Sequence, residues 1–231
     1  MTLATGEIDH LVVTAPSLRI GAEFVRSVLG VPLQLGGEHV RMATHNQLVR
    51  LGASCYLEVI ATNPAAAAPD RPRWFALDVA GPAPVLATWV ARTADIRIAA
   101  AATEPLGTIE AMQRGELEWL ITIPPDGSLP LGGTAPALIQ WGQGTHPAAT
   151  LPDQGLTLLE LELLHPQPER LERLLTALGI AGPLRVLPAP SAGLAARILT
   201  PEGECRLQTA DFAGGRSMKN IRRRRVARVP G

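Results

Sequence analysis

Aromatic side chains are scarce: three Phe, four Trp and one Tyr in 231 residues. A chain so poor in rings has little to stack on bases, so single-stranded nucleic acid is a poor fit as a partner. Each Trp is then informative about packing or a pocket. Cysteine is scarcer still. Cys55 and Cys205 make neither a disulfide framework nor a zinc knuckle. No apolar run is long enough to span a bilayer, so no membrane partner is expected. The opening residues are too short and polar for a secretory leader. A cytoplasmic protein with reduced thiols is the expectation. Gly132-Gly133 and Gly142-Gln143-Gly144 lack the frame of a phosphate loop or dinucleotide fingerprint, so no nucleotide cofactor is expected. No Gly-x-Ser-x-Gly elbow occurs.

Net charge is also absent, with 21 basic and 21 acidic residues, but the balance hides an asymmetry. From residue 213 to the end, Arg216, Lys219, Arg222, Arg223, Arg224, Arg225 and Arg228 occur with no acid. Removing those seven leaves 14 basic against 21 acidic residues, so the folded part is acidic. We read 213–231 as a flexible basic tail, solvated rather than bound to nucleic acid.

What is present is a repeated pattern of strand and helix. Residues 7–14 read as a strand. Ser17 opens a helix carrying Ile20, Phe24, Val25, Val28 and Leu29 on one face, and Gly30 stops it. Residues 32–35, 46–51 and 54–61 read as strands, with Gly36-Gly37 as a turn. This gives a βαβββ unit over 1–62, with His10 in its first strand and Glu58 in its last. A His and a carboxylate meeting on the concave face of a small sheet suit metal binding or proton transfer. The connector 63–72 holds four alanines and three prolines.

A second unit spans 63–150: a strand at 73–79, a helix at 84–92, and strands at 108–113, 116–123 and 136–141. A third spans 151–212: a strand at 156–164, a helix at 168–178, and strands at 184–187, 195–200 and 205–209. Laying Pro16 on Pro166 places His10 on Glu160, Cys55 on Cys205 and Glu58 on Gln208. Duplication of one unit is the simplest account. The middle unit aligns less well and puts Ala76 opposite His10.

Several motifs carry a resemblance. They are Asp9-His10-Leu-Val-Val, Thr44-His45-Asn46-Gln-Leu, Tyr56-Leu57-Glu58-Val-Ile, Arg71-Pro-Arg-Trp-Phe-Ala-Leu-Asp, Arg114-Gly-Glu-Leu-Glu-Trp, Leu138-Ile-Gln-Trp-Gly and His146-Pro147. In that order the chain resembles the glyoxalase-like domain proteins of the vicinal-oxygen-chelate superfamily. The resemblance implies an α+β fold of repeated βαβββ units forming curved mixed sheets, as in glyoxalases, bleomycin-resistance proteins and dioxygenases. It also implies a sheet-lined bowl that binds a small molecule. Metal-using relatives take His and Glu ligands from the first and last strands of paired units.

Pairing of the first unit with the third would give His10, Glu58, Glu160 and Gln208, a mixed set for Zn, Mn, Fe or Ni. Pairing with the second would offer only Ala76 and Gln140. The resemblance makes Glu58, Arg114 and His45 the candidate catalytic residues. Asn46, Trp74, Trp119, Gln140, Trp141 and His146 are the candidates for lining the pocket. Arg114 has the geometry to clamp an oxyanion. His39 and His165 read as structural or solvated. The reaction class implied is lyase, isomerase or dioxygenase; a metal-free binding protein is the alternative. An unpaired third unit would expose sheet edge, so a homodimer is expected.

Overall fold

The structure is a computed structural model and describes residues 6–209. The basic tail and the end of the third unit beyond residue 209 lie outside the described residues. The elements in order are β1 (Gly6–Thr14), α1 (Leu18–Leu29), β2 (Gln34–His39), β3 (Thr44–Arg50) and β4 (Tyr56–Thr62). Next come β5 (Val85–Thr93), α2 (Ile96–Ala101), β6 (Thr108–Arg114), β7 (Leu117–Ile123), β8 (Ala137–Trp141) and α3 (Pro147–Thr150). The chain continues with β9 (Thr157–His165), α4 (Pro168–Ala177), β10 (Ile180–Ala181), β11 (Leu184–Pro188), β12 (Gly193–Thr200) and β13 (Gly203–Gln208).

Eight strands pair in the order β2-β3-β4-β1-β5-β8-β7-β6, with short β10 added beside β1. This mixed sheet curls until its edge strands β2 and β6 touch, making a half-barrel. The first and middle units meet where β1 and β5 run antiparallel. The third unit makes its own sheet, β11-β9-β12-β13.

Each face of the curled sheet has its own core. Alternation along β1 and β4 sends Leu11, Val13, Leu57 and Val59 to the convex side. There they pack with α1, α2 and the inner face of the second sheet, including Leu161, Leu163, Leu194 and Ile198. Helix α1 begins where Ser17 Oγ accepts from the Ile20 N–H and ends at Gly30, φ 76°. Gly21 lets it lie close on β4, since a Cβ there would sit 2.4 Å from Val59 Cγ1. The concave side holds Val12, Ile60, Val90, Met112, Trp119, Ile121 and Ile139, capped by Trp74, Phe75 and Leu77 from the connector.

Four expectations need correction. The helix expected at 84–92 is strand β5. Its apolar run faces both cores, with Leu86, Trp89 and Ala91 on the convex side and Val90 on the concave side. A strand buried on both faces shows no alternation and imitates a buried helix. The helix is α2, started by Asp95, whose carboxylate accepts from the Arg97 and Ile98 N–H groups. Second, 73–79 is no strand. It turns through Phe75 and Ala76, both at positive φ, into a short 3-10 turn, Leu77–Val79.

Third, the first and third units are not matched by pairing. In the first, β1 lies parallel to β4. In the third, β9 lies parallel to β11 and antiparallel to β12. The first unit pairs instead with the middle one, and Val90, not Ala76, faces His10. The third unit buries its apolar face against the convex core of its own chain. Gly36-Gly37 is also no turn; it lies inside β2, where the pairing with β3 slips between Leu35 and Glu38.

Candidate functional site

The site begins with a bulge. Register between β1 and β5 shifts between Ile8 and His10, leaving Asp9 as an extra residue. Ile8 points to the convex core, and His10 turns into the bowl. Bulges commonly re-aim a side chain beside an active site. Asp9 is fully buried and gathers donors. Its Oδ1 lies 2.7 Å from His10 Nδ1. Its Oδ2 lies 2.9 Å from Trp141 Nε1, 2.9 Å from His146 Nε2 and 3.4 Å from an Arg92 guanidinium nitrogen. Burial alone would raise its pKa. Hydrogen bonds and charge from His10 and His146 outweigh that and hold the carboxyl well below the usual range.

Ionised Asp9 accepts at Oδ1, so His10 carries a proton on Nδ1 and turns Nε2 toward Glu58 Oε2, 3.6 Å away. Asn46 fixes the other carboxylate oxygen. Its Oδ1 accepts from the Gly37 N–H at 2.8 Å, so its amide N–H₂ donates to Glu58 Oε1. Gly36 makes this crossing possible, since a Cβ there would fall 2.0 Å from Asn46 Oδ1. Tyr56 stacks flat on the His10 ring, centroids 4.5 Å apart. Burial, with Asp9 and Glu58 nearby, keeps its phenol protonated far above the ordinary range.

His10, Tyr56 and Glu58 line one small cavity with His39, Trp74, Phe75, Arg114, Trp119, Ile121, Ile139 and Trp141. Its volume of about 20 Å³ holds a water-sized group. Outside lies an open groove of about 880 Å³. Arg114, Trp119 and Trp141 border both spaces. His39 Nδ1 lies 3.1 Å from Thr44 Oγ1, and its ring stands edge-on to Trp74 and Trp119. Burial and the charge of Arg114 push its pKa down to about 3, so it is neutral at ordinary pH.

The candidates divide. His10, Glu58, Asn46, Trp74, Arg114, Trp119 and Trp141 come together around the cavity. Glu160 and Gln208 do not. They lie in the second sheet, across the convex core, where Glu160 pairs with Arg197 at 3.1 Å and Gln208 is exposed at the end of β13. The set His10, Glu58, Glu160 and Gln208 is therefore not assembled. His45 alternates with Asn46 on β3 and faces away from the bowl, beside Glu38 and the Thr62 backbone. Gln140 reaches the outer groove and caps α2 by accepting from the Ile96 N–H. His146 opens α3 and holds Asp9. Asp9 and Tyr56 enter the sequence reading only inside motifs, and His39, expected there to be structural or solvated, lines the cavity. The available signal for Asp9 was a charged residue inside an apolar strand, which needs partners.

A divalent ion finds too few donors in the bowl. His10 Nε2 and Glu58 Oε2 point together, and a carboxylate behind the imidazole is a usual device of metal sites. Across from them, however, stand Val90, Ile139 and Trp141, which offer no ligand at matching depth, and Asn46 already occupies Glu58 Oε1. Among the described residues no three His, Cys, Asp or Glu side chains gather for a metal. The donor set does not fit a metal cage.

Comparisons with known proteins agree with this architecture. The family model described as glyoxalase-like domain matches residues 8–179. The chain belongs to that family, within the vicinal-oxygen-chelate superfamily. No curated protein matches it. A solved hypothetical protein from Staphylococcus aureus is similar in fold: 12% identity, TM-score 0.58, covering 81% of this chain and 87% of its own. A methylmalonyl-CoA epimerase from Mycobacterium tuberculosis shows 16% identity and TM-score 0.39, over 65% of this chain and 95% of its own. A Mn(II)-bound glyoxalase from Novosphingobium aromaticivorans shows 9% identity and TM-score 0.45, over 90% and 83%.

Proposed function

We propose that the protein is a small-molecule enzyme of the isomerase or lyase type that moves a proton at carbon without a metal ion. The observation that carries this is the line Asp9–His10–Glu58, with an oriented imidazole nitrogen and a fixed carboxylate opening on one water-sized cavity. His10 Nε2 takes a proton from a carbon next to a carbonyl group. The imidazolium that forms is flanked by two carboxylates, Asp9 and Glu58, and lies on the face of Tyr56, all of which favour the cation. Glu58, held by Asn46, accepts the proton from Nε2 and returns it to another atom of the same molecule. Trp74, Trp119 and Trp141 wall the site and keep bulk water from the reacting carbon. The isomerase and lyase classes are preferred over dioxygenase because oxygen chemistry asks for a metal held by more donors than the bowl provides.

The test is deuterium wash-in from heavy water, followed by proton NMR, on a panel of small carbonyl compounds in chelator. Wild-type protein should exchange at least one panel member. Glu58→Gln and His10→Asn should each slow that exchange by a factor of about 10² to 10⁴. Exchange that survives both substitutions contradicts the reading. Saturable binding with no exchange would make the protein a binding module instead.

A further inference from the structure

One donor at the cavity is left without a partner. Arg114 stands at the neck, bordering both the cavity and the groove. Most arginines around it are committed: Arg41 and Arg71 to Glu110, Arg73 to Asp78, and Arg92 to Glu7 and Asp9. Arg114 has no carboxylate partner among the described residues.

Its place is built by β2. A Cβ on Gly37 would lie 2.7 Å from Arg114 Cδ, so glycine lets the aliphatic stem cross the edge strand toward the cavity. The acids nearby are Glu58 inside, already bonded to Asn46, and Glu38 and Glu118 on the groove wall; none pairs with Arg114. The neutral, edge-on His39 adds no competing charge.

We propose that the ligands of this bowl carry an oxyanion, a carboxylate or a phosphate, taken at the neck by the Arg114 guanidinium, with the body of the molecule in the groove outside. The proposal rests on the reading of the bowl as a ligand site and names its substrate class. Volume supports the division: about 20 Å³ inside admits only a water-sized group, so the oxyanion stays at the neck, and about 880 Å³ outside admits the larger body. A charged, forked donor suits an oxyanion with several lone pairs.

Calorimetric titration with benzoate, phenyl phosphate and uncharged benzamide tests this on the full chain, in chelator. Benzoate or phenyl phosphate should bind about tenfold more tightly than benzamide, and the tighter of the two identifies the head group. Arg114→Gln should abolish that preference. Benzamide affinity should stay constant in this variant, which controls for folding. Equal affinity for charged and neutral probes, a preference that survives Arg114→Gln, or no binding of any probe up to about 10 mM overturns the proposal. Loss of deuterium exchange with charge preference intact sinks only the proton-transfer reading. The reverse result sinks only this one.

Discussion

The two halves of the curled sheet share a layout of strands and helix but differ in what they put into the bowl. The half built from β1 to β4 contributes His10, His39, Asn46, Tyr56 and Glu58, with Asp9 behind them. The half built from β5 to β8 contributes Val90, Met112, Trp119, Ile121, Ile139 and Trp141, plus Arg114 at its rim. One half holds the acid–base groups, and the other is an apolar wall with a single cation. The resemblance implied metal ligands from both halves, and the wall half offers none. In the proposed mechanism the same asymmetry leaves a dry surface against the reacting carbon, where the charges of Asp9 and Glu58 act strongly.

The comparison predicts where substitutions hurt. The largest effect belongs to the chemical half: Glu58→Gln or His10→Asn lowers exchange by about 10² to 10⁴. His45→Ala, on the outer side of the same half, leaves the rate within about twofold. Treatment with EDTA leaves the wild-type rate unchanged, whereas a lost rate restored by a divalent ion would break the comparison.

Asp9→Asn comes next. It leaves the Arg92, His146, Trp141 and His10 donors around a neutral amide and costs about 3–5 kcal/mol in urea unfolding. Because the folded Asp9 pKa is depressed, its contribution is complete above the unfolded carboxylate pKa and is lost as pH falls toward the folded one. The variant therefore has a flatter acid limb than wild type.

His39 gives the third effect, also in acid. Its pKa falls from 6.5 unfolded to about 3 folded, so the unfolded state binds the proton first. Its contribution is complete above pH 6.5 and drains away as pH falls toward 3. The loss should reach a few kcal/mol and should be missing in His39→Gln. Unfolding midpoints measured across that range check it.

The smallest effect is Gly37→Ala. It pushes the Arg114 stem aside and weakens benzoate binding about threefold, with the exchange rate for a neutral substrate unchanged. An equal loss for benzamide would mean that the wall itself had moved.

Much of the chemical half was legible in the sequence. Helix α1 repeats at a clear helical period and β3 partly alternates, while β1 and β4 are buried on both faces and are legible only as short β-branched runs bounded by turns. Single polar residues in apolar strands marked His10 and Glu58. The wall half was less legible. Strand β5 is central and buried on both faces, so its apolar run imitated a helix, although Val85, Thr88, Val90 and Thr93 are β-branched. The connector carrying Trp74 is ordered by backbone bonds to distant turns, such as Ala76 N–H to the Gly127 carbonyl, which no local pattern announces. The one-residue bulge at Asp9 was not announced by the pattern, since strict alternation from Ile8 would have sent His10 to the convex face. The offset of 150 between the first and third units is real in sequence but does not correspond to shared strand pairing.

The most direct test is nitrogen-15 NMR of the His10 side chain near pH 7, with and without added Mn²⁺. The account predicts a proton on Nδ1, a bare Nε2, and no selective broadening of the Nε2 signal by the ion. A proton on Nε2, or Mn²⁺ broadening focused on Nε2 and lost in Glu58→Gln, would contradict it.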